Sequence, residues 1–214
     1  MLAYMVRAHK GFQGRQGKFS NPAVFFINLA HRRDRLAEIE TVLDKVQWLE
    51  GSSRVDAVLD SEKGAVGCLK SHIKALQTFL ETPDHIQYAV ILEDDCEFIN
   101  DPRPGMQQFL ADHGPIGWDV LMLASNTVRE EPYMPYATRV FESQTCAGYA
   151  VTKHFAKKLL AHWEKSLFAK PFLECDQSWK QLQIQNRWFC LLPKPGRQRP
   201  SFSDIEQRRV EYGV

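Results

Sequence analysis

The chain has 214 residues, with 27 Lys and Arg against 26 Asp and Glu, so its formal net charge is +1. A hydrophobic fraction of 44% and a charged fraction of 25% are ordinary for a globular protein and exclude disordered or collagen-like chains. The near-zero net charge argues against a dedicated nucleic-acid-binding domain, so no nucleic-acid partner is expected.

The beginning of the chain is basic. Four Lys and Arg residues lie within residues 1–20, and the first acidic residue is Asp34. We expect a flexible basic leader over residues 1–20, one domain over residues 21–206 and a short tail over residues 207–214. A solvated leader is the simplest interpretation, and peripheral contact of the leader with a membrane surface is left open.

Apolar runs and cysteines bear on the compartment. No run reaches the 18 apolar residues that a membrane span needs, so no transmembrane segment is expected. The five cysteines are odd in number, widely spaced and without a CxxC pair, which favours reduced, buried thiols in a cytoplasmic protein. A zinc site would need closer clustering of Cys and His along the chain.

The first part of the chain alternates between strand-like and helix-like patterns. Runs that are apolar on both faces are typical of buried parallel strands, and apolar residues at three- and four-residue steps are typical of helices. The predicted elements are a strand at 23–29, a helix at 34–49, a strand at 54–59, a helix at 69–80 and a strand at 88–92.

The second part continues with strands and fewer helices. Prolines after residue 192 predict an irregular end. The predicted elements are strands at 118–123, 138–141 and 147–151, helices at 153–165 and 176–184, and a strand at 188–192. The alternation predicts an α/β fold whose mixed, mostly parallel central sheet is flanked by helices.

Three acidic residues follow a buried strand. Glu93, Asp94 and Asp95 come directly after the apolar run at 88–92, and this end of a strand is where ligands bind in open α/β sheets. Adjacent carboxylates repel one another unless a cation compensates. Mg²⁺ or Mn²⁺ would do so and would also bridge phosphates. The alternative is a solvated acidic turn.

Two further segments favour phosphate binding more weakly. Glycines and small residues at 64–72 open a predicted helix, whose N-terminus attracts anions, although Ser71 and His72 equally suit local hydrogen bonds in a packed helix. Arginines at 32–35 follow the first strand and suit bidentate phosphate contacts, or simply a charged first helical turn.

Seven stretches together resemble glycosyltransferase family 25, the lipopolysaccharide and collagen galactosyltransferase-like group. They occur in the family's order and span nearly the whole chain. The matching stretches are INLAHRRDRL (27–36), GAVGCLKSHIKAL (64–76), YAVILEDDCEF (88–98), WDVLMLAS (118–125), CAGYAVTKHFAKKLL (146–160), Cys175-Asp176 and SDIE (203–206).

The resemblance implies a GT-A fold and an inverting glycosyltransferase that uses a UDP-sugar donor, galactose being favoured, and a glycan or glycosylated acceptor. It also implies Mn²⁺, or Mg²⁺, at the acidic triplet, with Asp95 the favoured metal ligand and Glu93 a further one. The positions implied to contact the nucleotide are Asn28, Leu29, Arg32, Arg35, Ser71, His72 and Asp94. Asp204 and Glu206 are implied to close over the donor, with an exposed acidic turn as the alternative.

Inverting transfer also requires a base that takes the proton of the acceptor hydroxyl. Asp176 matches an acidic position of the family ahead of a helix and is the candidate; the alternative is a helix N-cap, which Asp suits well. The segment between residues 36 and 64 is shorter than is usual in the family. Two alternatives therefore stand beside the enzyme: a catalytically silent GT-A-like binding protein and a Mg²⁺-dependent phosphohydrolase.

Overall fold

The first half of the chain forms three parallel strands joined by helices. The computed structural model describes residues 22–114, 117–203 and 208–210. Strand β1 pairs in parallel with β2 on one side and with β3 on the other. The elements are β1 (Ala23–Asn28), α1 (Arg33–Lys45), a 3-10 turn (Leu49–Gly51), β2 (Ser52–Asp56), α2 (Gly64–Leu80) and β3 (Tyr88–Glu93).

Helix α1 is shorter than its apolar pattern predicts, and α2 is longer. Gln47 adopts a positive φ of 54°, which ends α1 before Leu49. Helix α2 begins at Gly64, so the glycine segment expected ahead of the helix is its first turn. A Cβ on Gly67 would lie 2.5 Å from the carbonyl oxygen of Val58, so only glycine lets α2 lie against the preceding loop.

A short strand and a helix follow the acidic triplet, and neither was predicted from the sequence. They are β4 (Cys96–Phe98) and α3 (Pro102–His113). Asp101 caps α3 by accepting a hydrogen bond from the backbone N of Arg103 at 3.0 Å, and Pro102 occupies the first helical position.

The centre of the sheet is a long antiparallel hairpin. Strands β5 (Val120–Met134) and β6 (Ala137–Thr152) pair along most of their length, with several register shifts, where three short strands were predicted. The end of β6 also pairs antiparallel with β3, and its beginning pairs with a later strand. Different parts of each long strand therefore pair with different neighbouring strands. The register shifts between β5 and β6 also bend these strands.

The remaining elements complete the sheet and one helical layer. The predicted helix at 176–184 is broken at Trp179, and the end predicted to be irregular contains three short strands. The elements are α4 (Lys153–Ser166), α5 (Cys175–Ser178), α6 (Lys180–Gln185), β7 (Trp188–Leu191), β8 (Gly196–Gln198), β9 (Ser201–Ser203) and β10 (Arg208–Val210).

The predicted fold class is confirmed. Within the described residues, β1 to β8 form one sheet in which six strands run in one direction and β4 and β6 in the other. One buried cluster, which includes Leu76 and Trp163, covers one face; another, which includes Leu43 and Phe109, covers the opposite face. No helix in the described ranges is long and apolar enough to cross a membrane.

Candidate functional site

The carboxyl ends of β1 and β3 open into a cleft, as the position of the acidic triplet predicts. We call it the first cleft; its volume is about 860 Å³. Helix α1 closes it on one side and α2 on the other. Residues along its wall include Asn28, Leu29, Arg35, Ser71, His72, Glu93, Asp94 and Asp95.

Asp94 is held by two residues predicted to contact a nucleotide. Its Oδ1 accepts from Arg35 Nη1 at 2.8 Å, and its Oδ2 accepts from Asn28 Nδ2 at 2.7 Å. Burial raises the pKa of Asp94, and the positive charge of Arg35 and the hydrogen bond from Asn28 oppose that rise. Asp94 and Arg35 therefore form a buried ion pair that fixes the turn after β3.

Asp95 is less fully satisfied than Asp94. Its Oδ2 accepts from Gln198 Nε2 at 3.1 Å and lies 3.5 Å from Arg35 Nη1. Its Oδ1 is buried and, among the described residues, has no hydrogen-bond partner. Burial, and then repulsion from Glu93, raises the pKa of Asp95. Asp95 thus keeps one buried carboxylate oxygen that a water molecule or a cation would satisfy.

Glu93 turns toward α2 rather than toward Asp95. Its Oε1 lies 2.9 Å from His72 Nε2, and His72 Nδ1 lies 3.2 Å from the hydroxyl of Tyr149. Burial lowers the pKa of His72, but contacts with Cys68 and Glu93 outweigh burial and raise it to about 9. Among the described residues, two groups of side chains could hold a metal ion: Cys68, His72 and Glu93, and His72, Cys146 and Cys175. Asp94 and Asp95 belong to neither group, so the acidic triplet does not form one by itself.

Of the other residues predicted to contact the nucleotide, Leu29 and Ser71 line the first cleft and Arg32 is not among its lining residues. Arg32 instead pairs with Asp34 at 2.8 Å, as in a charged first helical turn. Ser71 Oγ donates to the carbonyl of Gly67 at 2.7 Å and accepts from the backbone N of Val58 at 2.8 Å. Ser71 therefore ties the loop before α2 to the helix while lining the cleft.

A second cleft of about 770 Å³ adjoins the first and shares Cys68, Glu93 and Gln198 with it. Its other walls come from the hairpin and from the start of α5, and include Asn126, Gln144, Thr145, Glu174, Asp176 and Gln177. The donor side predicted at β1 and β3 and the base predicted at residue 176 therefore lie on two connected cavities.

Asp176 lies in the first turn of α5 and faces the second cleft. Its Oδ2 accepts from the backbone N of Thr145 at 2.9 Å. Because the N-cap of α5 is Glu174, the alternative that Asp176 is the N-cap is wrong. Thr145 has a φ of 62°, an uncommon conformation for a β-branched residue, and the hydrogen bond to Asp176 holds it there.

Sequence reasoning missed Gln198, Cys146 and Cys175 as site residues. Gln198 lies on β8, inside the end that prolines mark as irregular, and pairing of β8 with β4 brings it to Asp95. The two cysteines carry no local motif. Asp204, Glu206 and the leader at 1–20 lie outside the described residues.

Comparison with known proteins gives distant structural likenesses. No protein-family model matches the sequence, and no curated protein matches it either, so membership of glycosyltransferase family 25 is not confirmed.

Apo UDP-glucose pyrophosphorylase is similar in structure, with a TM-score of 0.47 and 9% identity over 79% of this chain and 72% of that one. A Drosophila β-1,4-galactosyltransferase 7 mutant in complex with manganese, UDP-Gal and xylobiose gives a TM-score of 0.43 and 9% identity over 91% and 77%. A glycosyltransferase involved in glycosylation of the major capsid of PBCV-1 gives 0.35 and 10% over 80% and 93%. At these values nothing about the activity of this chain follows from them.

Proposed function

We propose that this chain is a metal-dependent, inverting glycosyltransferase of the family 25 type. It transfers a sugar, with galactose favoured, from a UDP-sugar to a hydroxyl of a glycan or protein-linked acceptor. The observation that carries the proposal is the pair of connected clefts. One ends at Asp95, which has a carboxylate oxygen without a partner among the described residues, and the other ends at Asp176.

The first cleft suits a nucleoside diphosphate. Leu29, Val58 and Leu59 line it and offer apolar surface to a nucleobase. Arg35 brings a guanidinium, the group best shaped for phosphate oxygens, to the same cleft. Arg35 contacts Asp94 at 2.8 Å, so a diphosphate would compete for a cation that already neutralises the acidic turn.

The residues present fit a divalent cation bound with the diphosphate. Mg²⁺ and Mn²⁺ are often held by one or two carboxylates, with substrate phosphates and water completing the shell. Asp95 Oδ1, buried and without a partner in the described chain, is the carboxylate oxygen that remains to be satisfied. A cation held there would supply charge neutralisation for the departing diphosphate. Glu93 was expected to be a further metal ligand, but its Oε1 lies 2.9 Å from His72 Nε2, so the proposal assigns the cation to Asp95.

The second cleft suits the acceptor. The acceptor oxygen forms a bond to the anomeric carbon as the bond from that carbon to the diphosphate breaks and UDP leaves with the electron pair. The hydroxyl proton passes to the carboxylate of Asp176. The backbone N of Thr145 orients Asp176 through Oδ2, which leaves its Oδ1 bonded only to the flexible amide of Gln177 at 3.3 Å in the described chain.

A screen of UDP-sugars for metal-dependent hydrolysis tests the proposal without a known acceptor. We expect slow release of UDP, fastest from UDP-galactose, with Mn²⁺ and none with EDTA. Asp56→Asn changes an exposed acid at the end of β2 and should hydrolyse the donor normally. Absence of UDP release from every donor, under every metal, by a protein that binds UDP would identify the silent binding protein instead.

A further inference from the structure

Three cysteines and a histidine meet behind Glu93, although they are far apart in the sequence. Cys68 and His72 lie four residues apart on α2, Cys146 lies on β6, and Cys175 begins α5. The possible ligand atoms of His72, Cys146 and Cys175 all lie within 4.8 Å of one another, and so do those of Cys68, His72 and Glu93. We call these four residues the thiol cluster.

Three members of the thiol cluster are buried, and the fourth, Cys68, is partly exposed and lines both clefts. The exposed fractions of Cys146 and Cys175 are 4% each, and that of His72 is 1%. Trp163 lies 5.6 Å from the His72 ring, centroid to centroid. Cys146 Sγ lies 3.1 Å from Cys175 Sγ, and all the cysteines of the chain are free thiols. Two buried thiols and a buried imidazole, with a third thiol beside them, are an unusual use of core space, since apolar side chains would pack there without polar atoms.

The chemical types of these four side chains and their number point to zinc. Three sulfurs and one imidazole nitrogen form the Cys₃His set of structural zinc sites, in which no position is left open for substrate. We propose that Cys68, His72, Cys146 and Cys175 bind a structural Zn²⁺ that joins α2, β6 and α5. This site is separate from the cation site at Asp95 and does not depend on the proposed transferase activity.

The surroundings of His72 support ligation. A metal-bound imidazole usually donates its other N–H to a carboxylate or carbonyl, which fixes the ring. Glu93 Oε1 lies 2.9 Å from Nε2, which leaves Nδ1, now 3.2 Å from the Tyr149 hydroxyl, as the ligating atom. Cys68 Sγ lies 3.7 Å from Glu93 Oε1, on the Nε2 side of the ring, so Cys68 has to turn toward Cys175 to complete the ligand set. The engagement of Glu93 away from Asp95 then has a cause, because Glu93 orients a zinc ligand.

The spacing of the Cys146 and Cys175 sulfurs requires only a modest adjustment. Tetrahedral Zn–S bonds of about 2.3 Å place two sulfurs roughly 3.7 Å apart. The separation of 3.1 Å between Cys146 and Cys175 is therefore about 0.6 Å too short for zinc and is much longer than the roughly 2.05 Å of a disulfide. Rotation about the Cα–Cβ bond of either cysteine supplies the difference.

Metal analysis of the full chain, purified under reducing conditions, tests the proposal. We expect one zinc per chain and, after exchange with Co²⁺, the visible d–d bands of tetrahedral cobalt together with thiolate-to-cobalt charge transfer. Wild-type protein that takes up neither metal under reducing conditions would overturn the site. So would a Cys146–Cys175 disulfide in protein isolated without reductant and found by peptide mass.

Matched variants locate the metal. Cys146→Ala and Cys175→Ala should weaken zinc binding at least about 100-fold, since each removes a ligand. Cys190→Ala removes an equally buried strand cysteine outside the cluster and should keep one zinc per chain. If the buried variants do not fold, Cys68→Ser, at a partly exposed position, should weaken the sulfur-to-cobalt band without abolishing it, since two of the three thiolates remain. Equal metal content in the cluster variants and in Cys190→Ala would refute the assignment.

Discussion

The two clefts hold their key carboxylates in different ways. In the first cleft, Asp94 and Asp95 are compensated by a cationic side chain from another element, Arg35. In the second cleft, Asp176 is held by a backbone amide from the hairpin, and in the described part of the chain no cationic side chain pairs with it. Charge therefore organises the first cleft, and backbone geometry organises the second.

This difference separates binding from proton transfer. The carboxylates beside Arg35 are held by side chains of other elements, Asp94 by Asn28 and Asp95 by Gln198. The proposal therefore gives proton transfer to Asp176, which faces the second cleft, and gives Asp94 and Asp95 the electrostatics of a charged ligand. The first two predictions below each change one cleft and leave the other as an internal control, and the last two change α3, which lines neither cleft.

The largest effect is expected in the second cleft. Asp176→Asn keeps an oxygen for the hydrogen bond from Thr145 but removes the base, so transfer should fall by roughly 10²- to 10⁴-fold. UDP affinity should stay within about twofold of wild type. Comparison of turnover with UDP titration measures both. Retained turnover would remove Asp176 from the role of base.

The next effect belongs to the first cleft. Arg35→Met leaves two buried carboxylates without their cation, so the free energy of unfolding should fall by about 3–5 kcal/mol. Arg33→Met, at an exposed position two residues away, should change it by less than about 0.5 kcal/mol. Urea denaturation measures both variants. Equal effects of the two changes would mean that the ion pair with Asp94 does not organise this cleft.

A smaller effect is expected at α3, which lies in the chain between the parallel strands and the long hairpin. Asp101→Ala removes the N-cap of α3 and should lower the free energy of unfolding by about 1 kcal/mol. Asp101→Asn retains a capping oxygen and should recover most of the loss. Thermal unfolding of the two variants provides the check, and a failure of Asn to recover stability would assign the effect to the ion pair with Arg103 instead.

The smallest effect is a pH dependence of the stability that arises from His113, the last residue of α3. His113 stacks between Phe109 and Phe189, and burial lowers its pKa, against a smaller opposing effect of Asp112. Below about pH 6.5 the unfolded chain binds a proton that the folded chain resists, so stability should fall as pH falls. His113→Phe should flatten this part of the stability profile. A profile unchanged by the substitution would show that His113 is already solvated.

The sequence predicts the parallel half better than the hairpin half. Continuous apolar runs identify β1 and β3, since both faces of those strands are buried. The outer part of the hairpin is exposed and carries the charged run around Glu130, which reads as a loop, so one long hairpin was predicted as separate strands. Helix α3 was missed because Pro102, Pro104 and Gly105 look like loop residues, although Asp101 followed by proline is itself a helix start signal.

The residues of the candidate site likewise differ in how well the sequence predicts them. The acidic triplet and Asp176 could be placed from local chemistry and a family resemblance. Contacts between distant segments could not: Gln198 reaches Asp95 through pairing of β8 with β4, and Cys146 reaches Cys175 across 29 residues. Spacing along the chain argued against a zinc site, and only folding brings its ligands together.

Calorimetric titration of UDP with and without Mn²⁺ tests the central claim, that Asp95 completes a cation site for a nucleoside diphosphate. Wild-type protein and Asp56→Asn should bind UDP only when Mn²⁺ is present. Asp95→Asn should weaken that binding at least about 100-fold, or roughly 2.7 kcal/mol. Unchanged UDP affinity in Asp95→Asn, or no UDP binding by the wild type under any metal, would contradict the account.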